Sequence, residues 1–281
     1  MKFRTIFPIF LIITIVSVTL RFLQSYIMTD PRTGFFLSEY SVLNFMLTAA
    51  FVIVILLLLV FSFRAKELPG TVNLKSAALC AASMFLAFSL MIEGAIMLTG
   101  GSFYALSKDT GRSEFQFTVL LGFVLLCLSI IAFLVYGVRL ISGKAMSGFL
   151  MVFPVFYWAY RLVAAFVTYT GIANISENIL YILSICFSLI FLLSHGKVLS
   201  DISREKSMKS VLSYGLVSGL FCFVSTVPRF LLMLIGQQDM IHEGLLGKPL
   251  DFIFGVYAVV FVLVQMKEEE KVPAEEQALN G

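Results

Sequence analysis

Four ionisable side chains, Arg21, Glu93, Arg161 and Arg229, stand inside stretches of the chain that are otherwise apolar. A charge at the centre of a bilayer costs roughly 2.5–3.5 kcal/mol on insertion scales, so each needs a counter-charge, a water-filled cavity or a route for its head group to the interface. Guanidinium groups held away from bulk water bind carboxylate and phosphate through short, charge-assisted hydrogen bonds. Three arginines against one glutamate favour an anionic or zwitterionic solute, anchored by Arg161 and Arg229 with Glu93 orienting them. Polar neighbours extend the pattern along helical faces. Thr14, Ser17, Arg21 and Gln24 step by three, four and three, and Tyr214, Ser218, Cys222, Ser225 and Arg229 by four, four, three and four. Tyr157 precedes Arg161 by four, with Ala164 and Thr168 beyond it, and Ser89 precedes Glu93 by four. Such stripes avoid lipid and are expected to face one another, making Arg161, Arg229, Arg21, Glu93, Tyr157 and Ser225 the candidate substrate-binding set.

The elements that must hold these residues follow from composition. The chain is 59% hydrophobic and only 13% charged, with a mean hydropathy of +0.98; soluble domains carry about 25% charged residues. It reads as an all-α, polytopic integral membrane protein. Eight apolar runs reach the length needed for about 30 Å of hydrocarbon: Thr5 to Leu23, Ser41 to Phe63, Ser76 to Thr99, Phe115 to Val138, Ser147 to Thr170, Asn178 to Gly196, Ser210 to Ile235 and Leu250 to Met266. Uninterrupted runs such as Phe51 to Phe63 exclude the alternating strands of a membrane barrel. The first run is longer than the apolar part of a signal peptide and is followed by no small-residue cleavage site, so it is expected to be retained as a span.

Of the twenty Lys and Arg residues, thirteen fall in the segments that share a side with the N-terminus, four on the opposite side and three within spans. That bias predicts cytoplasmic termini, and the short loops fit a compact bacterial plasma-membrane protein. The net charge of +3 then reflects topology, with no nucleic-acid partner implied. Residues 1–266 form a single membrane domain on this reading, and the glutamate-rich 267–281 a disordered cytoplasmic tail. Phe7-Pro8-Ile9-Phe10 recurs as Phe153-Pro154-Val155-Phe156, Ser38-Glu39 as Ser176-Glu177 and Lys75-Ser76 as Lys209-Ser210. The order suggests two parallel four-helix repeats, 1–139 and 147–266.

No catalytic motif is recognisable. Only His195 and His242 are present, which excludes an HExxH metalloprotease, and Walker A, GxSxG and GxGxxG patterns are absent. Glu93 and His195 fall near opposite faces and cannot form one site. Cys80, Cys127, Cys186 and Cys222 occupy four different spans without CxxC spacing and read as packing residues. No metal site and no cofactor are expected. Glu39, Glu114, Glu177 and Asp251 stand near the N-termini of the even-numbered spans, where a carboxylate complements the helix dipole. His195 reads as an interfacial residue, and Gly215 and Gly219 form a GxxxG step suited to close helix packing. The expected function is a small transporter or membrane-embedded binding component for an anionic or zwitterionic solute. The alternative is a sensory or scaffold protein that recruits a partner protein at the cytoplasmic face.

Overall fold

The computed structural model describes residues 3–30, 36–64, 75–98, 112–168, 175–237 and 248–267. Among these, eight α-helices are long and apolar enough to cross a membrane, so the chain is an all-α, multi-pass integral membrane protein. Its helices are α1 (Phe3–Ile27), α2 (Ser41–Phe63), α3 (Ala77–Leu98), α4 (Arg112–Ser142), α5 (Val152–Thr168), α6 (Ile175–Leu199), α7 (Arg204–Leu234) and α8 (Lys248–Lys267). Hydrocarbon offers no partner for a backbone N–H or C=O, so every apolar run must satisfy its own hydrogen bonds as helix. The acidic tail beyond Lys267, His242, Lys2, Arg32, Lys66 and Lys108 lie outside the described residues.

Several helices outrun the apolar stretches that signal them, because a helix continues into the polar interface as long as its turns remain satisfied. α7 starts at Arg204, six residues before the apolar run, and a Glu205–Lys209 ion pair of 2.7 Å braces that first turn. At its other end Gly236 adopts φ +77°, and its neighbour Gln237 donates back to the Leu232 carbonyl, closing the helix. α5 is the short one. Its expected start at Ser147 is instead a 3-10 turn, Gly148–Met151, capped by the Ser147 hydroxyl.

Burial separates a body from a periphery. In α7 and α8, 67% of the residues in the apolar stretch are buried, against 17% in α1 and α2. α8 is the axis of the body: it packs directly on α3 and α7, and aromatic contacts join it to the others. Phe133 of α4 meets Tyr257, Trp158 of α5 meets Phe254 at 4.7 Å, and Phe191 of α6 lies against Phe254, Tyr257 and Phe261. α1 and α2 pack on each other and on the outside of α7.

The GxxxG step of α7 finds its partner in α8. A Cβ on Gly219 would stand 2.6 Å from Val259 Cγ2, and one on Gly255 of α8 only 2.8 Å from Cys222 Cβ. The two backbones therefore approach as closely as glycine allows, the dispersion-driven contact that stabilises helices in lipid. Replacing Gly219 by Leu is expected to force α7 and α8 apart and to cost about 1–3 kcal/mol, the usual range for an overpacked core. A detergent-solubilised G219L protein with an unchanged thermal unfolding midpoint contradicts this packing.

Candidate functional site

The deepest charge is Arg161. It sits on α5 behind an aromatic run, and the ring of Tyr160 lies across Gly122 of α4 so closely that a Cβ there would be 2.3 Å away. That contact sets the rotation of α5 and turns Arg161 inward. Its side chain is fully buried, and Nη2 donates to Asp251 Oδ1 on α8 at 2.8 Å and to the Tyr181 hydroxyl on α6 at 3.3 Å. The guanidinium carbon lies 5.5 Å from the centre of the Trp158 ring, within cation–π range. Tyr157, one turn before Arg161, is buried as well and packs edge-on against Trp158.

Asp251 belongs to the first turn of α8, as expected of a carboxylate that complements a helix dipole. Its environment assigns it a stronger role. It is 3% exposed, its Oδ1 accepts from Arg161, and its Oδ2 has no hydrogen-bond partner among the described residues. In a medium of low dielectric, attraction between such charges is large but must offset the loss of hydration of both.

A second polar group adjoins the first at Tyr181. Arg21 and Ser25 of α1, Leu180 and Tyr181 of α6, and Ser225, Pro228 and Arg229 of α7 line one small pocket. Arg21 is half-buried and Arg229 buried. Arg21 Nη1 donates to Gln24 Oε1 at 2.7 Å, and Gln24 Nε2 donates to Asn44 Oδ1 of α2. Pro228 lacks the N–H that would close onto the Val224 carbonyl, which loosens the helix beside the arginine. One turn earlier, the Ser225 and Thr226 hydroxyls both donate to the Cys222 carbonyl.

Arg21, Arg229 and Ser225 are thus brought together, whereas Arg161, Tyr157 and Glu93 line neither this pocket nor the apolar crevice beside it. Glu93 is buried on α3. Tyr181 joins the two groups, because it lines the pocket and accepts from Arg161. Sequence reading had passed over it. Tyr181, Ser184 and Ser188 step by three and four along α6, a face that would have signalled it.

The lower part of the α7 stripe serves packing. Ser218 and Ser188 share a 2.9 Å hydrogen bond, and Cys222 lies 3.5 Å from the Ser184 hydroxyl, so these residues join α7 to α6 and leave only Ser225 and Arg229 at the pocket. His195, four residues from the end of α6, turns its imidazole into the bundle, where it is fully buried among Tyr136, Phe191, Tyr257 and Phe261. Neither ring nitrogen has a hydrogen-bond partner among the described residues. All four cysteines are free thiols, with Cys80 and Cys222 buried.

No family model matches the chain, and comparison with curated proteins and with solved structures finds no match either. What the fold defines is the class, an eight-span all-α integral membrane protein.

Breaking the buried pair on one side is expected to be severe: Asp251→Leu leaves Arg161 facing an apolar wall at a cost of about 3–5 kcal/mol, while the double variant Arg161→Met/Asp251→Leu recovers most of it. Thermal unfolding in detergent separates the cases. A double variant no more stable than D251L argues against the pairing.

Proposed function

We propose that this protein is a membrane-embedded binding component, of the kind found in small transporters, for an anionic ligand held at the polar pocket between α1, α6 and α7. The observation that carries the reading is the convergence of Arg21 and Arg229 on one pocket with Ser225 and Tyr181. Two guanidinium groups from different helices raise the local positive potential where water is scarce, and the Tyr181 hydroxyl, which accepts from Arg161, can turn its own O–H to a ligand oxygen, whereas Ser225 would first have to release the Cys222 carbonyl. Arg161, neutralised by Asp251 behind Tyr181, adds no net charge to the pocket and positions the tyrosine.

The excess of Lys and Arg in the segments on the N-terminal side supports cytoplasmic termini, with the pocket in the outer half of a plasma membrane. An anion would then be met from the outer side.

Phosphate- and carboxylate-headed compounds, soluble and lipid-anchored alike, supply the test. At least one is expected to raise the unfolding midpoint of the purified protein, by a stabilisation of about 2.7 kcal/mol when present at a hundred times its Kd. Arg229→Gln is expected to weaken that ligand by about tenfold or more, the loss of one hydrogen bond to a charged group. If no anion of either kind shifts the midpoint, the reading is wrong.

A further inference from the structure

The polar pocket does not stand alone. A crevice of about 380 Å³ runs away from it where α1, α2, α6 and α7 meet, a volume within the range of small-molecule sites. Arg21, Leu180 and Val224 line both spaces, so the crevice and the pocket adjoin. Away from Arg21 the walls are almost entirely hydrocarbon. Ile12, Val16, Val52 and Ile179 line the crevice and are also exposed on the outer surface of the bundle, so it opens sideways towards the acyl chains of the bilayer.

Its dimensions fit one chain-bearing molecule. On α1 the lining extends from Ile12 to Gln24, about 18 Å at the rise of an α-helix. The hydrocarbon of a single leaflet is about 15 Å deep, half of the usual core. The pocket at the polar end is small, about 10 Å³, roughly the space of one water. It can receive a single oxygen of a head group, while the rest of the head stays at the mouth. A soluble anion would use only the arginine end and a neutral lipid only the trough. An anionic lipid uses both.

We propose that the ligand is an anionic, phosphate-headed membrane lipid that enters from the bilayer between α1/α2 and α6, with its hydrocarbon in the trough and its phosphate at Arg21 and Arg229. This deepens the anion-binding reading above and rests on it. Ala50, which lines the trough from α2, is the place to block the tail without touching the head-group end.

The test compares three probes on the purified, full-length protein by native mass spectrometry and thermal shift: dioleoyl phosphatidylglycerol, dioleoyl phosphatidylcholine, and glycerol phosphate as the head group without tails. Phosphatidylglycerol is expected to bind about tenfold or more tightly than either of the others, since only it makes both sets of contacts. Ala50→Trp is expected to lower its affinity by a similar factor while leaving the weak glycerol phosphate response intact, and Arg229→Gln to abolish the preference over phosphatidylcholine. Ser17→Phe, filling the trough from α1, serves in place of A50W if that variant does not fold; Phe166→Trp, exposed on α5 outside these walls, should leave binding unchanged. Glycerol phosphate binding as tightly as phosphatidylglycerol overturns the lipid assignment and leaves the anion site standing. Equal binding of both lipids, indifferent to R229Q, overturns the lipid assignment and the anion reading together. Unaltered phosphatidylglycerol binding in both trough-filling variants removes the tail site.

Discussion

The ion pair between Arg161 and Asp251 is the contact on which the arrangement of the bundle turns. A guanidinium cannot remain uncompensated in a medium without water, and its carboxylate partner lies ninety residues away on the last helix. Bringing the two within 2.8 Å fixes α8 against α5, and the Tyr181 hydroxyl adds α6 to the same knot. The Trp158 ring over the guanidinium, and Phe254 packed on that ring, then cover the pair and exclude water from it. Exclusion strengthens the attraction, and the attraction keeps the rings in register. Packing on the other side of α8 relies on glycine, where Gly219 and Gly255 allow α7 to approach.

Around this rigid body the outer helices are held differently. α1 and α2 bury little of their surface and meet the body through α7, with Phe51 edge-on to Phe221 and Phe63 edge-on to Tyr214. Elements with few buried contacts are the ones that move at low cost. The crevice runs along this loosely held pair, and at its polar end Arg21 is tied to Gln24, which in turn is tied to Asn44 of α2. A lipid entering there would separate surfaces that are weakly joined and leave the body unchanged. Tyr181 stands at the boundary, lining the pocket on one side and accepting from the buried arginine on the other.

His195 illustrates a different use of the interior. Four aromatic rings enclose it, with Phe261 closest at 4.2 Å between ring centres. The ring therefore packs as one more aromatic group at the junction of α4, α6 and α8.

The eight spans could be read directly from the chain, because the rule that makes them is local: about twenty apolar residues in hydrocarbon have no alternative to a helix. Helical spacing likewise placed Arg21 with Gln24 and Ser225 with Arg229 on common faces. Which faces meet is another matter. Periodicity gives a direction on each helix and no partner, so the stripe on α7 divided in the structure, with Ser218 and Cys222 packing on α6 and Ser225 and Arg229 turning to the pocket. Asp251 could be explained locally as a first-turn carboxylate, and nothing in its own segment marked it as the partner of Arg161. Sequence determined the membrane class, the spans and the charges that must be compensated. Tertiary packing alone chose α8 as the axis, matched Arg161 to Asp251 and set Arg21 beside Arg229, since these depend on contacts between helices far apart in the chain.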